Sequence, residues 1–125
     1  MNQFLKELRF NEKGLIPAII QEAGTNEVLM LAYMNERAIT ETIVTGRTHF
    51  WSRSREKLWK KGETSGCEQI VQEILFDCDE DALLIRVHQR KFACHTGYKS
   101  CFYRKINGKK GEIVIVGRKF VEGRK

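Results

Sequence analysis

A series of short β-prone runs, each closed by turn chemistry, commits this chain to a mainly β fold. Leu15–Gln21 is apolar and rich in isoleucine. The only proline, Pro17, stands near its start, where a strand tolerates it. Ala23-Gly24-Thr25-Asn26 supplies turn residues and Val28–Met34 is a second apolar run. Together they read as a β-hairpin. Further strand candidates follow at Thr48–Arg53, Ile70–Cys78, Ala82–His88, Ser100–Ile106 and Ile113–Val116, while Arg55–Lys61 carries Trp59 between basic flanks. Asn107-Gly108 is a two-residue hairpin signal, and a longer loop, Asn107–Gly111, is an equal reading. One segment has helical spacing. Asn35 can cap it, Ala38, Ile39, Ile43 and Val44 form a buried stripe, and Gly46 can end it. Glu36–Thr45 is therefore the one firm helix, and Leu5–Leu8 is a short helix or irregular lead-in. The expected architecture is a curled sheet or pseudo-barrel capped by one helix.

With 125 residues and 42% of them hydrophobic, the chain suits a single domain with its own core. Residues 1–13 read as a lead-in and 117–125 as a tail, with Val121–Lys125 expected to fray. No apolar run approaches the length that crosses a bilayer, and Lys6, Glu7 and Arg9 break up any signal-peptide core. A soluble cytoplasmic protein without a membrane partner is expected. The net charge is +6, concentrated at Arg47–Lys61 and in the C-terminal third. That excess is either solvated surface or a field that gathers anions such as phosphates. It is too moderate to require nucleic acid.

The residues that carry chemistry lie in three places. Asp77, Asp79 and Asp81 alternate with Cys78 and Glu80. On a strand the three acids share one face and Cys78 looks out of the other. Three like charges on one face suit a hard cation, or else an ordinary acidic turn. The four cysteines are Cys67, Cys78, Cys94 and Cys101. In a reducing cytosol they point to metal or catalysis before disulfides. Cys94 and Cys101 flank a loop that can bring two sulfurs onto one ion, and Cys78 can add a third, leaving an open zinc position. Adding Cys67 would close the tetrahedron, and inert buried thiols fit the spacing equally. His95, directly after Cys94, can serve as a base or acid near neutral pH. Finally, Gly62-Glu63-Thr64-Ser65-Gly66 can cradle a phosphate or simply turn a hairpin. Arg53, Arg55, Lys60 and Lys61 lie nearby to add charge, and Trp51 and Trp59 can stack on a base or pack in the core.

Taken together, LMLAYMN (29–35), GRTHFWSRSREKLWKKGETSG (46–66), DCDEDALL (77–84) and CHTGYKSCFYR (94–104) resemble the phosphoribosyl-AMP cyclohydrolase family of histidine biosynthesis. The resemblance spans about 14–104. It implies hydrolysis of the N1–C6 bond of the adenine ring in N1-(5-phosphoribosyl)-AMP. It implies one zinc per subunit on Cys94 and Cys101, with Cys78 supplied by the partner subunit. It further implies magnesium on Asp77, Asp79 and Asp81, and a helix-capped β pseudo-barrel assembled as an intertwined homodimer. Two positions depart from the family pattern: Cys67 stands where asparagine is usual, and Glu80 where glycine is usual. The pyrophosphohydrolase domain often fused to the family does not follow, so cyclohydrolase activity alone is expected.

The mechanism implied is attack of a zinc-bound hydroxide on C6, with His95 shuttling a proton to departing N1. Arg47, Trp51, Arg53, Arg55, Lys60, Lys61, Thr64 and Ser65 are the candidates to hold the substrate and its two phosphorylated arms. Two rivals remain on the residues alone. A zinc-stabilised nucleic-acid module would use all four cysteines structurally. A redox protein would pair its thiols, although the Cys-x-x-Cys form is absent.

Overall fold

The structure is a computed structural model that describes residues 2–120. Among the described residues, two helices and eight strands follow one another as α1 (Asn2–Glu7), β1 (Ile16–Glu22), β2 (Val28–Met34), α2 (Glu36–Thr45), β3 (His49–Ser52), β4 (Lys57–Lys60), β5 (Gln69–Phe76), β6 (Leu83–Gln89), β7 (Arg104–Asn107) and β8 (Glu112–Ile115). Six strands form one curled sheet in the order β4-β3-β2-β1-β6-β5, and β7 and β8 form a separate hairpin. The mainly β expectation holds, with a second short helix at the lead-in.

The β1–β2 hairpin forms where the apolar runs and turn residues put it, with a register shift after Ile20. Its inward residues Ile16, Ala18, Ile20, Leu29 and Met34 are buried and meet Ile85 and Val87 of β6. Alternation does that work: one side of each strand is apolar and covered, the other partly wet. The β1–β6 pair is parallel, a long-range join that no hairpin signal announces. Burying the isoleucine, leucine, methionine and valine side chains among them contributes about 1.5–3 kcal/mol each.

Helix α2 has the expected bounds. The Asn35 side chain accepts from the Ala38 amide at 2.8 Å, and Gly46 ends the helix in the left-handed region. The buried stripe is Ala38, Ile39 and Thr42. Ile43 and Val44, expected to be buried, are exposed. Thr42 takes the inner place because its hydroxyl donates to the Ala38 carbonyl and accepts from the His49 amide, tying α2 to β3.

On the side of the sheet away from the core, Leu31 of β2 pairs with Ile19 of β1, Ile19 with Leu84 of β6, and Leu84 with Leu75 of β5. These four apolar side chains form a row across four strands. Leu31, Ile19 and Leu75 are exposed at 48%, 37% and 43% in the single chain.

At the end of β5 the strand stops at Phe76, so the acids do not lie on a strand. The Asp77 carboxylate accepts from the Asp81 and Ala82 amides, and Glu80 adopts φ 63. That is a tight turn. Near the C-terminus, β7 begins only at Arg104, because the Cys101 amide donates to Leu29 instead of entering a ladder. The β7–β8 connection uses the longer loop, with Asn107 paired to Glu112. Val121–Lys125, expected to fray, lie outside the described residues.

Candidate active site

A cleft of about 600 Å³ opens between two loops. One wall is β4 with the turn before it and the loop after it, carrying Arg55, Lys60, Lys61, Thr64 and Ser65. The facing wall is Phe92, Ala93, Cys94 and His95, with Cys67 also lining the space. Two walls so far apart in sequence are held together from behind. The Gln89 amide, buried at the end of β6, donates to the Cys67, Glu68, Arg90 and Phe92 carbonyls. Gln69 and Thr48 continue that buried network. Lys61 donates to the Ala93 carbonyl across the cleft, and Lys91 to Ser65 at 3.0 Å. Gly62 lies against the Cys67 and Glu68 backbone, where a Cβ has no room.

The thiols are free, and Cys67 and Cys94 are buried. Cys94 Sγ lies 2.9 Å from the Thr96 hydroxyl. Cys101 is exposed as a residue, yet its thiol is pushed up to about 12, first by burial and then by the adjoining Cys94 thiol. Burial pulls Lys61 below the usual lysine value, opposed by the Cys101, Cys67 and Cys94 sulfurs around it. Two thiols in contact beside a buried cation suit a soft ion that would replace their protons. Among the described residues, the thiols do not gather three ligand atoms within one chain; only Asp77, Asp79 and Asp81 do. Cys78 sits exposed on the acidic turn, at the far end of the β5–β6 hairpin. At ~3.3 Å per residue, β5 sets that turn roughly 25 Å from the cleft. Cys78 and Cys94 of one chain are therefore held far apart.

The acidic turn gathers one oxygen from each of Asp77, Asp79 and Asp81 within 4.8 Å. Local desolvation by the neighbouring turn, then the Asp77 and Asp79 charges, push the exposed Asp81 carboxyl up. Crowded carboxylates of this kind fit a hard divalent cation. Glu80 keeps the left-handed backbone that glycine would hold, and its carboxylate lies 3.9 Å from Arg9.

The remaining predicted residues divide. Trp51 and Arg53 line a different cleft, of about 370 Å³, together with Lys13, Asn35 and Glu56. Arg53 lies over the Tyr33 ring at 4.0 Å. Arg47 lies outside both clefts, 3.9 Å from Glu68, whose carboxyl is held low first by its hydrogen bond to Lys60. His49 is buried, with Nδ1 2.9 Å from the Arg47 carbonyl, whereas His88 is exposed. Sequence reasoning missed Thr96, Gln89 and Lys99. Lys99 lies inside the Cys94–Cys101 loop and pairs with Glu22 at the end of β1. No local signal in the sequence marks Gln89, whose partners lie on separate loops.

No helix among the described residues is long and apolar enough to cross a membrane. The profile of the phosphoribosyl-AMP cyclohydrolase family matches residues 30–103. A phosphoribosyl-AMP cyclohydrolase from Archaeoglobus fulgidus is 65% identical over 102 residues, 82% of this chain and 94% of its own. Another from Pelotomaculum thermopropionicum is 54% identical over 115 residues, 92% of this chain and 88% of its own. A histidine biosynthesis bifunctional protein HisIE from Thermoanaerobacter pseudethanolicus is 56% identical over 108 residues, 86% of this chain but 50% of its own.

Proposed function

Because the chain belongs to the phosphoribosyl-AMP cyclohydrolase family, enzymes of histidine biosynthesis, we propose that it opens the adenine ring of N1-(5-phosphoribosyl)-AMP by metal-assisted hydrolysis of N1–C6. The observation that carries this reading is the cleft itself. It sets a basic, hydroxyl-bearing wall opposite a thiol and a histidine.

Cys94 and Cys101 would hold zinc together with Cys78 of the partner subunit. When bound, the ion supplies Lewis acidity and a water whose pKa is lowered towards ~7. Thr96 steadies the Cys94 sulfur. His95, exposed on the cleft wall next to Cys94, holds the proton that departing N1 requires. Lys60, Arg55, Thr64 and Ser65 receive phosphate oxygens on the opposite wall. Lys61 faces the thiols and braces Ala93, so it orders the metal side more than it grips phosphate. Asp77, Asp79 and Asp81 would hold magnesium.

The distance between the acidic turn and the cleft within one chain supports a homodimer in which each turn serves the other's cleft. The Leu31–Ile19–Leu84–Leu75 row is the apolar surface a second copy would cover.

The test is an absorbance assay of purine ring opening with and without chelator. His95→Ala should retain zinc and lose about 100-fold or more in turnover, in the range of general acid–base contributions. Unchanged turnover removes His95 from the mechanism, and turnover indifferent to chelation removes the metal.

A further inference from the structure

Residues 116–120 lie beyond the stretch the family profile matches, and they are laid along the loop that carries Cys94 and Cys101. The Val116 and Gly117 amides both donate to the Tyr103 carbonyl, at 2.9 and 3.2 Å. The Lys99 amide donates to Arg118 at 3.0 Å, and the Phe120 amide to Gly97 at 2.7 Å. Tyr98 and Lys119 form a β-bridge between these bonds. Side chains add to the join. Tyr98 and Tyr103 stack with ring centres 3.8 Å apart and planes within 4°. Gly117 lies so close to Tyr103 that a Cβ would run into the Tyr103 Cβ and sit 3.0 Å from its Cα. The Phe120 ring lies 6.2 Å from Phe92, which lines the cleft.

The loop has little order of its own. Between β6 and β7 it forms no helix and no strand of a sheet. Its internal bonds are few: Ala93 to Lys99, Cys94 to Tyr98 and Gly97 to Cys94. A loop so built holds two sulfurs in one place only if something outside it removes its freedom. Leu29 does so at Cys101 and Lys61 at Ala93, and residues 116–120 do so at Gly97, Lys99 and Tyr103, between and just beyond the two cysteines.

We propose that residues 116–120 form a strap that positions Cys94 and Cys101 for metal binding, with Gly117 and Phe120 as positioning residues. The inference rests on the reading of those cysteines as zinc ligands. Affinity for an ion depends on how far its ligands are ordered before it arrives. Loosening the strap therefore weakens zinc binding without altering any ligand. Neither residue belongs to the basic wall that receives the nucleotide, so KM should hold where zinc is saturating.

The experiment uses the full chain with Gly117→Val and Phe120→Ala. Gly117→Val fills space that is not there; Phe120→Ala trims an exposed ring and leaves the core intact. In zinc-free protein, amide hydrogen exchange should quicken at Cys94, Gly97 and Lys99 in both variants. Zinc affinity, from competition with a chromophoric chelator, should fall about tenfold, the scale of changes that disturb ligand support. The cobalt(II)-loaded variants should keep the thiolate charge-transfer band of the parent. Turnover should fall at limiting zinc and recover at saturating zinc, with KM within about twofold. Variants matching the parent in exchange and in zinc affinity overturn the strap alone. A parent with no thiolate band overturns the zinc reading and this proposal with it. If Gly117→Val does not fold, Phe120→Ala decides.

Discussion

The thiol cleft and the acidic turn both gather ligand-type side chains, but they are built in opposite ways. The turn is local. Five residues make it, Asp77 closes it by accepting from two amides further along, and its three acids are exposed. The cleft is assembled from β4, β6, two loops and the C-terminal segment, and its walls meet through the buried Gln89 amide and Lys61. The difference teaches where each depends on the rest of the molecule. The turn should survive damage elsewhere and tolerate the loss of one ligand. The cleft should be sensitive to ties that never touch substrate.

The largest effect should come from removing a proposed ligand on each side of that comparison. Cys94→Ser should lose bound zinc and at least ~100-fold in turnover, the loss that even outer-shell changes around a metal can cause. Asp79→Asn leaves two carboxylates and should be partly rescued by excess magnesium. Zinc content and turnover, measured against added magnesium, separate the two. If Asp79→Asn also loses zinc, the two regions are not independent within the assembly.

A smaller effect should follow from cutting one distant tie of the thiol loop. Lys99 sits within that loop, and its ammonium pairs with Glu22, with both side chains nearly covered. Desolvation pushes the Glu22 carboxyl up, but the hydrogen bond and charge of Lys99 win and hold it below the ordinary glutamate value. A depressed carboxyl contributes stability that is complete above its unfolded value and lost as pH falls through its folded value. Glu22→Gln should therefore cost about 2 kcal/mol near neutrality, less than the ~3–5 of a fully buried pair. Glu27 softens the loss, because it stays 3.7 Å from Lys99. Urea unfolding of parent and variant should show the gap closing as pH falls below the Glu22 value. A gap that persists in acid would mean that shape, not charge, makes the tie.

How legible each region was follows from the same contrast. Hairpin 16–34 and helix α2 are written in neighbouring residues, and their bounds came close to the chain's own. The grouping of Asp77, Asp79 and Asp81 was legible too, though for the wrong reason. Strand alternation suggested it; a turn achieves it, because Asp77 captures the Asp81 amide before β5 can continue. The cleft was only half legible. Composition marked the basic stretch 47–61 but did not divide it. Arg55, Lys60 and Lys61 reach the cleft, whereas Trp51 and Arg53 turn to a second one and Arg47 to Glu68. Nothing local announces the parallel β1–β6 pair, Gln89 or the docking of 116–120, since each joins residues far apart in sequence.

The finest test concerns Glu80, the one residue of the acidic turn held at positive φ. An L-residue with a Cβ costs ~1–2 kcal/mol there relative to its ordinary backbone. Glycine avoids that strain and gives back roughly 0.5–1 kcal/mol through greater freedom when unfolded. The contact with Arg9, 3.9 Å long and with the arginine side chain 77% exposed, adds no more than a few tenths. Glu80→Gly should thus stabilise the protein by about 0.5 kcal/mol, a rise of roughly 2 °C in Tm for a domain of this size. Thermal unfolding reads the first effect, and turnover against magnesium reads the second, which should not change. The acids that gather are 77, 79 and 81, and Glu80 stands outside them. A weaker magnesium response in Glu80→Gly would place its carboxylate among the ligands after all. The turn would then be less self-contained than its hydrogen bonds make it.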